Sequence, residues 1–217
     1  MKRETETFGG AKSGEAEAER RVEGIDLRVL RGASVTAVLP DLAALRIEVF
    51  REFPYLYDGD LDYERQYLAS YAAAPGAIVV AAYDGETLVG AATAAPLAGE
   101  KGAWTRPLLQ RGYPLQDVFY FGESVLSTAY RRRGIGHRFF DLREREARSQ
   151  GMTFSAFVAI ERPDDHPARP ADYRPLSAFW RKRGYEEVEG AVAEFEWREV
   201  GGAVETSHQL QYWAREL

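Results

Sequence analysis

The chain has 217 residues, of which 45% are hydrophobic and 29% are charged, and its formal net charge is -6. These values are typical of a globular protein with a buried core, and they exclude a disulfide-stabilised miniprotein and a disordered chain. The acidic charge argues against a nucleic-acid partner, because neutralising phosphates requires a basic surface.

The sequence contains no cysteine, which excludes disulfides, thiolate nucleophiles and cysteine-ligated metals. We expect no metal site either, because His137, His166 and His208 are scattered without the spacing of metal ligands. No apolar run approaches the roughly 20 residues that a membrane-spanning helix needs. The polar N-terminus also lacks the apolar segment of a signal peptide. We therefore expect a cytoplasmic protein without a membrane partner.

Composition divides the chain into two regions. Residues 1–23 are rich in Glu, Gly, Ser and Arg and have almost no bulky apolar side chains, which predicts a flexible tail. Residues 24–217 contain no linker and no internal repeat, so we expect them to form one domain.

Hydrophobic periodicity predicts alternating strands and helices within this domain. Asp84-Gly85-Glu86 stands between two apolar runs and indicates a hairpin. In chain order the prediction is a strand at 25–29, helices at 39–50 and 63–71, strands at 77–83 and 87–95, helical turns at 103–110, a strand at 118–126, a helix at 134–149, a strand at 153–160, a short helix at 175–183, and a hairpin of strands at 192–200 and 204–213. This order indicates a mixed α/β sheet with helices on its faces.

The segment Arg131-Arg132-Arg133-Gly134-Ile135-Gly136 lies between a predicted strand and a predicted helix. The glycines leave the backbone accessible, and the N–H groups and dipole at a helix start favour an anion. The arginines add charged donors. The segment therefore predicts a phosphate site, although a tight turn with a solvated basic run explains it equally well. His137 after Gly136 excludes a Walker A loop, and a missing third glycine excludes a dinucleotide fingerprint.

Arg131, Gly134 and Gly136 match the central motif of the GNAT superfamily of N-acetyltransferases, which is Arg or Gln, two residues, Gly, any residue, then Gly or Ala. Residues 178–185 also resemble the late helix of that family, which ends in a Gly-aromatic pair. The resemblance covers roughly residues 25–200. It implies the acyl-CoA N-acyltransferase fold, with a mostly antiparallel central sheet flanked by helices, and acetyl-CoA as co-substrate.

The same resemblance implies a cofactor site on two neighbouring segments. The backbone of residues 131–136 would hold the pyrophosphate of acetyl-CoA, and the strand before it would bind the pantetheine and polarise the thioester carbonyl. The strands that carry Val125 and Phe157 would splay apart to admit the cofactor. His137 is a further candidate phosphate contact, or a solvated residue of the first helical turn. The candidate cofactor-binding residues are Ser124, Val125, Leu126, Arg131, Arg132, Arg133, Gly134, Ile135, Gly136 and His137.

Glu123 is the candidate general base. It begins the segment that would hold the pantetheine, within an otherwise apolar or small stretch. An amine with a pKa of about 10 is largely protonated at neutral pH and has to lose a proton before it attacks a thioester. The alternative is a structural carboxylate that is paired with an arginine or faces solvent.

Tyr173 is the candidate general acid. Many family members place a tyrosine of the late helix near the departing thiolate, but the matching residue here is Trp180. Tyr173 precedes this helix and Tyr185 follows it, and we favour Tyr173. Departure of the thiolate without an acid is the alternative.

The candidate acceptor pocket is the aromatic and acidic segment at residues 53–60, with Tyr55, Tyr57 and Asp58 as substrate-binding residues. Aromatic faces and carboxylates suit an amine, although a packed aromatic cluster beside a turn explains the segment equally well. We therefore expect an N-acetyltransferase that acts on a small-molecule primary amine by direct attack. A non-catalytic acyl-CoA sensor and a protein N-acetyltransferase are the alternatives. The oligomeric state stays open, with a homodimer as one option.

Overall fold

The computed structural model describes residues 21–217, so that most of the predicted tail, residues 1–20, lies outside the described residues. The last residues of that predicted tail belong to the sheet. Arg21–Val22 form a short strand, and Val22 is paired with Ile25 across a turn in which Gly24 has a φ of 86°. The described part of the domain therefore starts before Gly24.

Strands and helices alternate along the described chain, which confirms the predicted mixed α/β fold. They are β1 (Arg21–Val22), β2 (Ile25–Arg31), α1 (Ala33–Phe50), α2 (Leu61–Ala72), β3 (Ile78–Asp84), β4 (Thr87–Pro96), α3 (Arg106–Gln110), β5 (Val118–Leu126), α4 (Ile135–Ser149), β6 (Phe154–Ile160), α5 (Ser177–Lys182), β7 (Glu186–Arg198) and β8 (Glu205–Glu216). Within residues 21–217, no helix is long and apolar enough to cross a membrane.

The strands form one open sheet in the order β1-β2-β3-β4-β5-β6-β8-β7. Neighbouring strands are antiparallel except β5 and β6, which are parallel. The β5–β6 pairing extends only from Val118 with Phe154 to Tyr120 with Ala156. Beyond that point the two strands are no longer paired, which is the splay that the family resemblance implies. The second half of β5 therefore has unpaired backbone groups on its β6 side.

A β-bulge distorts β5 at the beginning of this unpaired half. Where β4 has only Thr93, β5 has both Gly122 and Glu123. The backbone N–H of Glu123 donates to Thr93 Oγ1 at 3.1 Å. A Cβ atom at position 122 would lie 2.4 Å from that same oxygen, so the close approach requires glycine. The bulge fixes where the side chain of Glu123 leaves the strand.

Helices cover both faces of the sheet. Alternate residues of β3 point to opposite faces, so that Val79 packs with Leu42 of α1 and Val80 packs with Phe139 of α4. Burial of each such apolar side chain stabilises the fold by about 1.5 to 3 kcal/mol. The first two helices thus lie on one face, and α4 lies on the other.

Two element boundaries lie six residues from their predicted positions. Helix α1 begins at Ala33 and contains Pro40 in its interior, and it extends six residues further toward the N-terminus than its apolar spacing indicates. Strand β7 begins at Glu186 instead of Val192. Its pairing with β8 is irregular between Glu187 and Val192, and this irregularity interrupts the alternation on which the prediction relied.

Candidate active site

The loop between β5 and α4 leads into a helix N-terminus without a side-chain cap. Gly134 precedes α4 in the left-handed conformation, with a φ of 79°, and no side chain caps the helix. The first N–H groups of a helix have no intrahelical acceptor. Arg132, with a φ of 64°, adds a second left-handed residue to the loop. Successive N–H groups in such turns form a concave anion site.

Gly136 shows that this loop leaves room for a ligand. A Cβ atom built at position 136 would have Phe179 Cζ as its nearest neighbour, at an ordinary contact distance of 3.9 Å. Packing therefore does not require glycine there, although glycine in a helix costs about 1 kcal/mol relative to alanine. Glycine at this position leaves the backbone open to close approach by a ligand. The loop thus fits the pyrophosphate of acetyl-CoA.

The guanidinium of Arg131 braces the loop. Its Nε donates to the carbonyl of Leu126 at 3.1 Å, and its Nη1 is 2.7 Å from Glu52 Oε2. The backbone N–H of Arg131 donates to the carbonyl of Thr128 at 3.2 Å, so this residue braces the loop and does not present an N–H group to a ligand. Arg132 and Arg133 are exposed, and the guanidinium of Arg133 lies 5.2 Å from the ring centre of Tyr130.

Helix α1 fastens the start of the same loop. Ser127 Oγ donates to Glu48 at 3.1 Å, and Thr128 Oγ1 donates to Glu52 at 2.9 Å. On the other side, the exposed ring of His137 packs edge-on against Phe179, with 4.8 Å between ring centres. These contacts hold the loop in place without occupying its backbone N–H groups.

Glu123 belongs to a buried ion cluster built by three elements. Its Oε2 lies 2.6 Å from Nη1 of Arg46 on α1, and Nε of Arg46 lies 2.5 Å from Oε2 of Glu64 on α2. Glu123 is thus paired with an arginine, as the structural alternative supposed. However, Glu123 Oε1 is buried and has no hydrogen-bond partner among the described residues. That oxygen remains available to accept a proton.

The cluster has one positive and two negative charges, so its formal net charge is -1. Burial by itself would lower the pKa of Arg46, but the charges of Glu123 and Glu64 raise it above the ordinary value. The guanidinium also lies over the ring of Tyr67, 4.7 Å from its centre. Arg46 is therefore a fixed cation, and the excess charge of the cluster is carried by the carboxylates.

Tyrosine side chains surround the ion cluster. Burial raises the pKa of Tyr55 to about 12. Burial and the charge of Glu123 raise the pKa values of Tyr67 and Tyr71 above the ordinary range. Burial and the neighbouring carboxylate of Glu64 do the same for the pKa of Tyr57. All four hydroxyls are therefore neutral near pH 7 and add no charge to the site, and that of Tyr71 is hydrogen-bonded to the backbone carbonyls of Ile78 and Ala94.

Comparison with known proteins gives the family. The model of the Acetyltransferase (GNAT) family matches residues 42–174, which is more than half of the chain. The chain belongs to the GNAT family of acetyltransferases. The predicted family is thereby confirmed, and with it an acyltransferase that depends on acetyl-CoA.

Solved structures of GNAT enzymes share the fold. A ribosomal-protein-alanine N-acetyltransferase from Brucella melitensis has 18% identity, with 88% of this chain and 99% of that chain covered and a TM-score of 0.56. A GCN5-related N-acetyltransferase from Kribbella flavida has 16% identity, coverage of 90% and 99%, and a TM-score of 0.54. An aminoglycoside 6'-N-acetyltransferase complexed with coenzyme A has 18% identity, coverage of 87% and 96%, and a TM-score of 0.52.

In this GNAT enzyme Tyr173 lies against the aromatic segment 53–60. Its ring meets the edge of Phe53 with 4.7 Å between ring centres, and it lies close enough to Tyr55 to raise the pKa of that residue. Burial also raises the pKa of Tyr173 itself. Tyr173 and the acceptor segment, which are more than 100 positions apart, thus meet on the side of the ion cluster where Tyr55 lies.

Tyr185, the alternative candidate acid, is part of the core, and Trp180, which replaces the tyrosine of the family, packs against that core. Tyr185 is fully buried, and its hydroxyl lies 2.7 Å from Ser155 Oγ and 3.2 Å from Glu144 Oε1. Trp180 packs against Phe157, with 5.1 Å between ring centres. Tyr185 is therefore occupied by protein groups, which leaves Tyr173 as the candidate acid.

The predicted acceptor residues fall into two groups in the GNAT domain. Tyr55 and Tyr57 adjoin the ion cluster, as their pKa values show. Asp58 instead pairs with two guanidinium groups, at 3.1 Å from Arg51 and 3.0 Å from Arg198. Because these cations neutralise its charge, Asp58 would attract a cationic amine less strongly than the sequence alone indicates.

Arg143 of α4 is a buried residue that holds the bulge beneath the site. Its Nη1 donates to the carbonyls of Thr93 at 3.2 Å and Glu123 at 3.4 Å, and its Nη2 donates to Ser124 Oγ at 2.8 Å. Burial lowers the pKa of Arg143 to about 10. Arg143 thus connects the helix of the phosphate loop to the strand that carries Glu123.

Arg46, Glu64 and Arg143 were not predicted as site residues, although the position of each in its helix indicates a special role. Each falls on the apolar stripe of its helix, as Arg46 does at i+4 from Leu42. A charged residue at a core position indicates a buried ion pair or a site.

Among residues 21–217, no group of three His, Cys, Asp or Glu side chains could hold a metal ion.

Proposed function

We propose that this GNAT enzyme moves the acetyl group of acetyl-CoA to the primary amine of a small molecule, by direct attack of the amine on the thioester, with Glu123 as general base. The observation that carries the proposal is the buried, unpartnered Oε1 of Glu123 in a cluster with a net charge of -1. Without any cysteine, an acyl-cysteine intermediate is excluded.

The cofactor would be held by backbone groups. The N–H groups at the start of α4 suit its pyrophosphate, and the unpaired half of β5, from Ser124 to Leu126, suits its pantetheine. When bound, acetyl-CoA supplies the activated acetyl group. A β5 backbone N–H would donate to the thioester oxygen and stabilise the charge that develops there.

Glu123 would take the proton of the acceptor amine. At neutral pH most of an alkylamine is protonated, and only the neutral form attacks a carbonyl carbon. Glu123 Oε1 accepts this proton directly or through a water molecule. Its partner oxygen stays fixed by Arg46, which keeps the carboxylate in one orientation.

Tyr173 would donate a proton to the leaving thiolate. Two features support this role: burial raises the pKa of Tyr173, which keeps the hydroxyl protonated, and its contact with Phe53 brings it to the acceptor segment. Tyr55 and Tyr57 would contact the acceptor. Their aromatic rings and the negative cluster suit a small cation.

The acceptor class decides between a small-molecule enzyme and a protein N-acetyltransferase. One structural relative is named for an aminoglycoside and another for ribosomal protein alanine, so the fold fits both classes. We favour a small amine, because tyrosine side chains and a buried carboxylate would together suit a compact cation. The proposal also places the enzyme in the cytoplasm. It leaves the oligomeric state open, with a homodimer as one option.

A panel of acceptors tests the proposal. Free thiol release from acetyl-CoA is measured with small primary amines on one side and with peptides of varied N-terminal residues on the other. We expect turnover with at least one small amine and background release with peptides. Turnover confined to peptides would establish the protein-modifying alternative.

A further inference from the structure

The ion cluster contains one carboxylate more than a neutral pair needs. Arg46 is bound through Nη1 by Glu123 and through Nε by Glu64. The side chains of Glu64 and Glu123 are 0% and 4% exposed, and that of Arg46 is 11% exposed. A buried charge without a counter-charge is costly. If the cluster were purely structural, Arg46 with one glutamate would avoid the cost of the second buried negative charge.

An arginine so close to a general base works against it. An opposite charge within about 4 to 6 Å favours the charged form of a carboxyl group and in general lowers its pKa by about 1 to 3. Arg46 is only 2.6 Å from Glu123. Alone, the arginine would orient Glu123 and at the same time weaken it as a base.

Glu64 removes this conflict. We propose that Glu64 is a positioning residue for catalysis, which balances the charge of Arg46 so that Arg46 orients Glu123 without lowering its proton affinity. The inference rests on the proposed role of Glu123 as base. It assigns a catalytic purpose to a residue of α2 that lies on the far side of Arg46.

Apart from Arg46 and Glu64, the groups that face Glu123 are tyrosines and Arg143. The tyrosines that interact electrostatically with Glu123 are Tyr55, Tyr67, Tyr71 and Tyr120. Burial raises the pKa of each, so they are uncharged at neutral pH. From α4, the cation of Arg143 donates to the backbone carbonyl of Glu123 and also interacts electrostatically with its carboxylate. It is unchanged in the variants below.

The test compares the pH dependence of kcat in Glu64→Gln, Arg46→Gln and the double variant, with one acceptor amine and saturating acetyl-CoA. Glu64→Gln should move the acidic limb of the profile down by about 1 pH unit and lower kcat at pH 7 about three- to tenfold, because the base is weaker. Arg46→Gln should move the limb up. In the double variant the two effects cancel, and the limb should return to within about half a unit of the native position.

Glu146→Gln is the matched control. Glu146 is a carboxylate on α4 that pairs with Arg31 on the surface, so its loss should leave the acidic limb unchanged. A melting temperature is measured for every variant, and kcat is expressed per folded molecule.

An acidic limb that stays in place in Glu64→Gln while the melting temperature falls would overturn the inference and make Glu64 structural. If that single variant does not fold, the double variant decides. If Glu64 does not balance the charge of Arg46, the acidic limb of the double variant should lie about 1 pH unit or more above the native position. That result would also overturn the inference. Native turnover in Glu123→Gln would instead refute the base itself, and with it the proposed mechanism.

Discussion

Nη1 of Arg46 lies 2.6 Å from Oε2 of Glu123, and this contact joins the first helix of the domain to the strand that carries the candidate base. Through its Nε the same guanidinium reaches Glu64 on the second helix. The helices that would shape the acceptor pocket therefore also fix the orientation of Glu123. A change in either helix should consequently affect proton transfer as well as acceptor binding.

Gly136→Ala tests the phosphate loop. The added Cβ meets only Phe179 at 3.9 Å, and alanine is the better helix former, so the free energy of unfolding of the apo protein should stay the same or rise by up to about 1 kcal/mol. The rise in melting temperature that millimolar acetyl-CoA gives by mass action should shrink or vanish. Thermal denaturation with and without the cofactor measures both effects.

Ser149→Ala on the last turn of the same helix is the control for this prediction. Ser149 is exposed and bonds only within its own helix, so its loss should leave the cofactor-induced shift intact. A full shift in Gly136→Ala would mean that the cofactor does not approach the backbone at position 136.

Tyr173→Phe tests the candidate acid and removes only the hydroxyl. If that hydroxyl protonates the leaving thiolate, kcat should fall by about 10² fold, while the melting temperature changes little. Initial rates of thiol release, with protein concentration corrected for the folded fraction, measure the effect.

Tyr185→Phe is the matched control for the acid. It breaks the contacts of a buried hydroxyl with Ser155 and Glu144, so the free energy of unfolding should fall by about 1 kcal/mol. Turnover per folded molecule should hold. Equal turnover in Tyr173→Phe and the native enzyme would reject Tyr173 and favour departure of the thiolate without an acid.

The stability of the domain should decline above pH 10. Burial raises the pKa values of Tyr185 and Tyr212, which are fully buried, above the value of about 10 expected in the unfolded chain. Between pH 10 and the folded-state pKa, the folded protein therefore binds more protons than the unfolded chain. Each tyrosine then removes about 1.4 kcal/mol of unfolding free energy per pH unit, and its contribution is fully present below pH 10.

Urea denaturation of native protein and Tyr185→Phe at pH 8, 10 and 11 measures this decline. Between pH 10 and 11 the variant should lose about 1 kcal/mol less than the native protein. The lowered pKa of Arg143, at about 10, acts in the opposite direction in both proteins. Identical losses would show that Tyr185 ionises freely in the folded state.

Local patterns predicted the parts of the molecule that local interactions determine. Strand β5 has the predicted bounds, Val118–Leu126, and the hairpin turns at Asp84-Gly85-Glu86. The loop before α4 was identifiable because its residues are adjacent in the chain. Strand order, the bulge at Thr93 and the splay of β5 from β6 depend on distant partners, which one sequence does not reveal.

The surroundings of Glu123 were not predictable for the same reason. Arg46 and Glu123 are 77 positions apart, and nothing in the short range around Glu123 indicates that α1 supplies its partner. An arginine on an apolar helix stripe indicates burial but does not name the group that it binds. The sequence prediction of Asp58 failed to anticipate its arginines, since Arg198 comes from the distant strand β7.

Turnover of Glu123→Gln with a small primary amine at pH 7 and pH 9.5 is the most direct test of the proposed mechanism. If Glu123 is the general base, turnover should fall by about 10² to 10⁴ fold at pH 7, with an unchanged melting-temperature shift by acetyl-CoA. The loss should be smaller at pH 9.5, where more of the amine is already neutral. Native turnover at pH 7, or acetyl-CoA binding without thiol release by any amine even in the native enzyme, would contradict it.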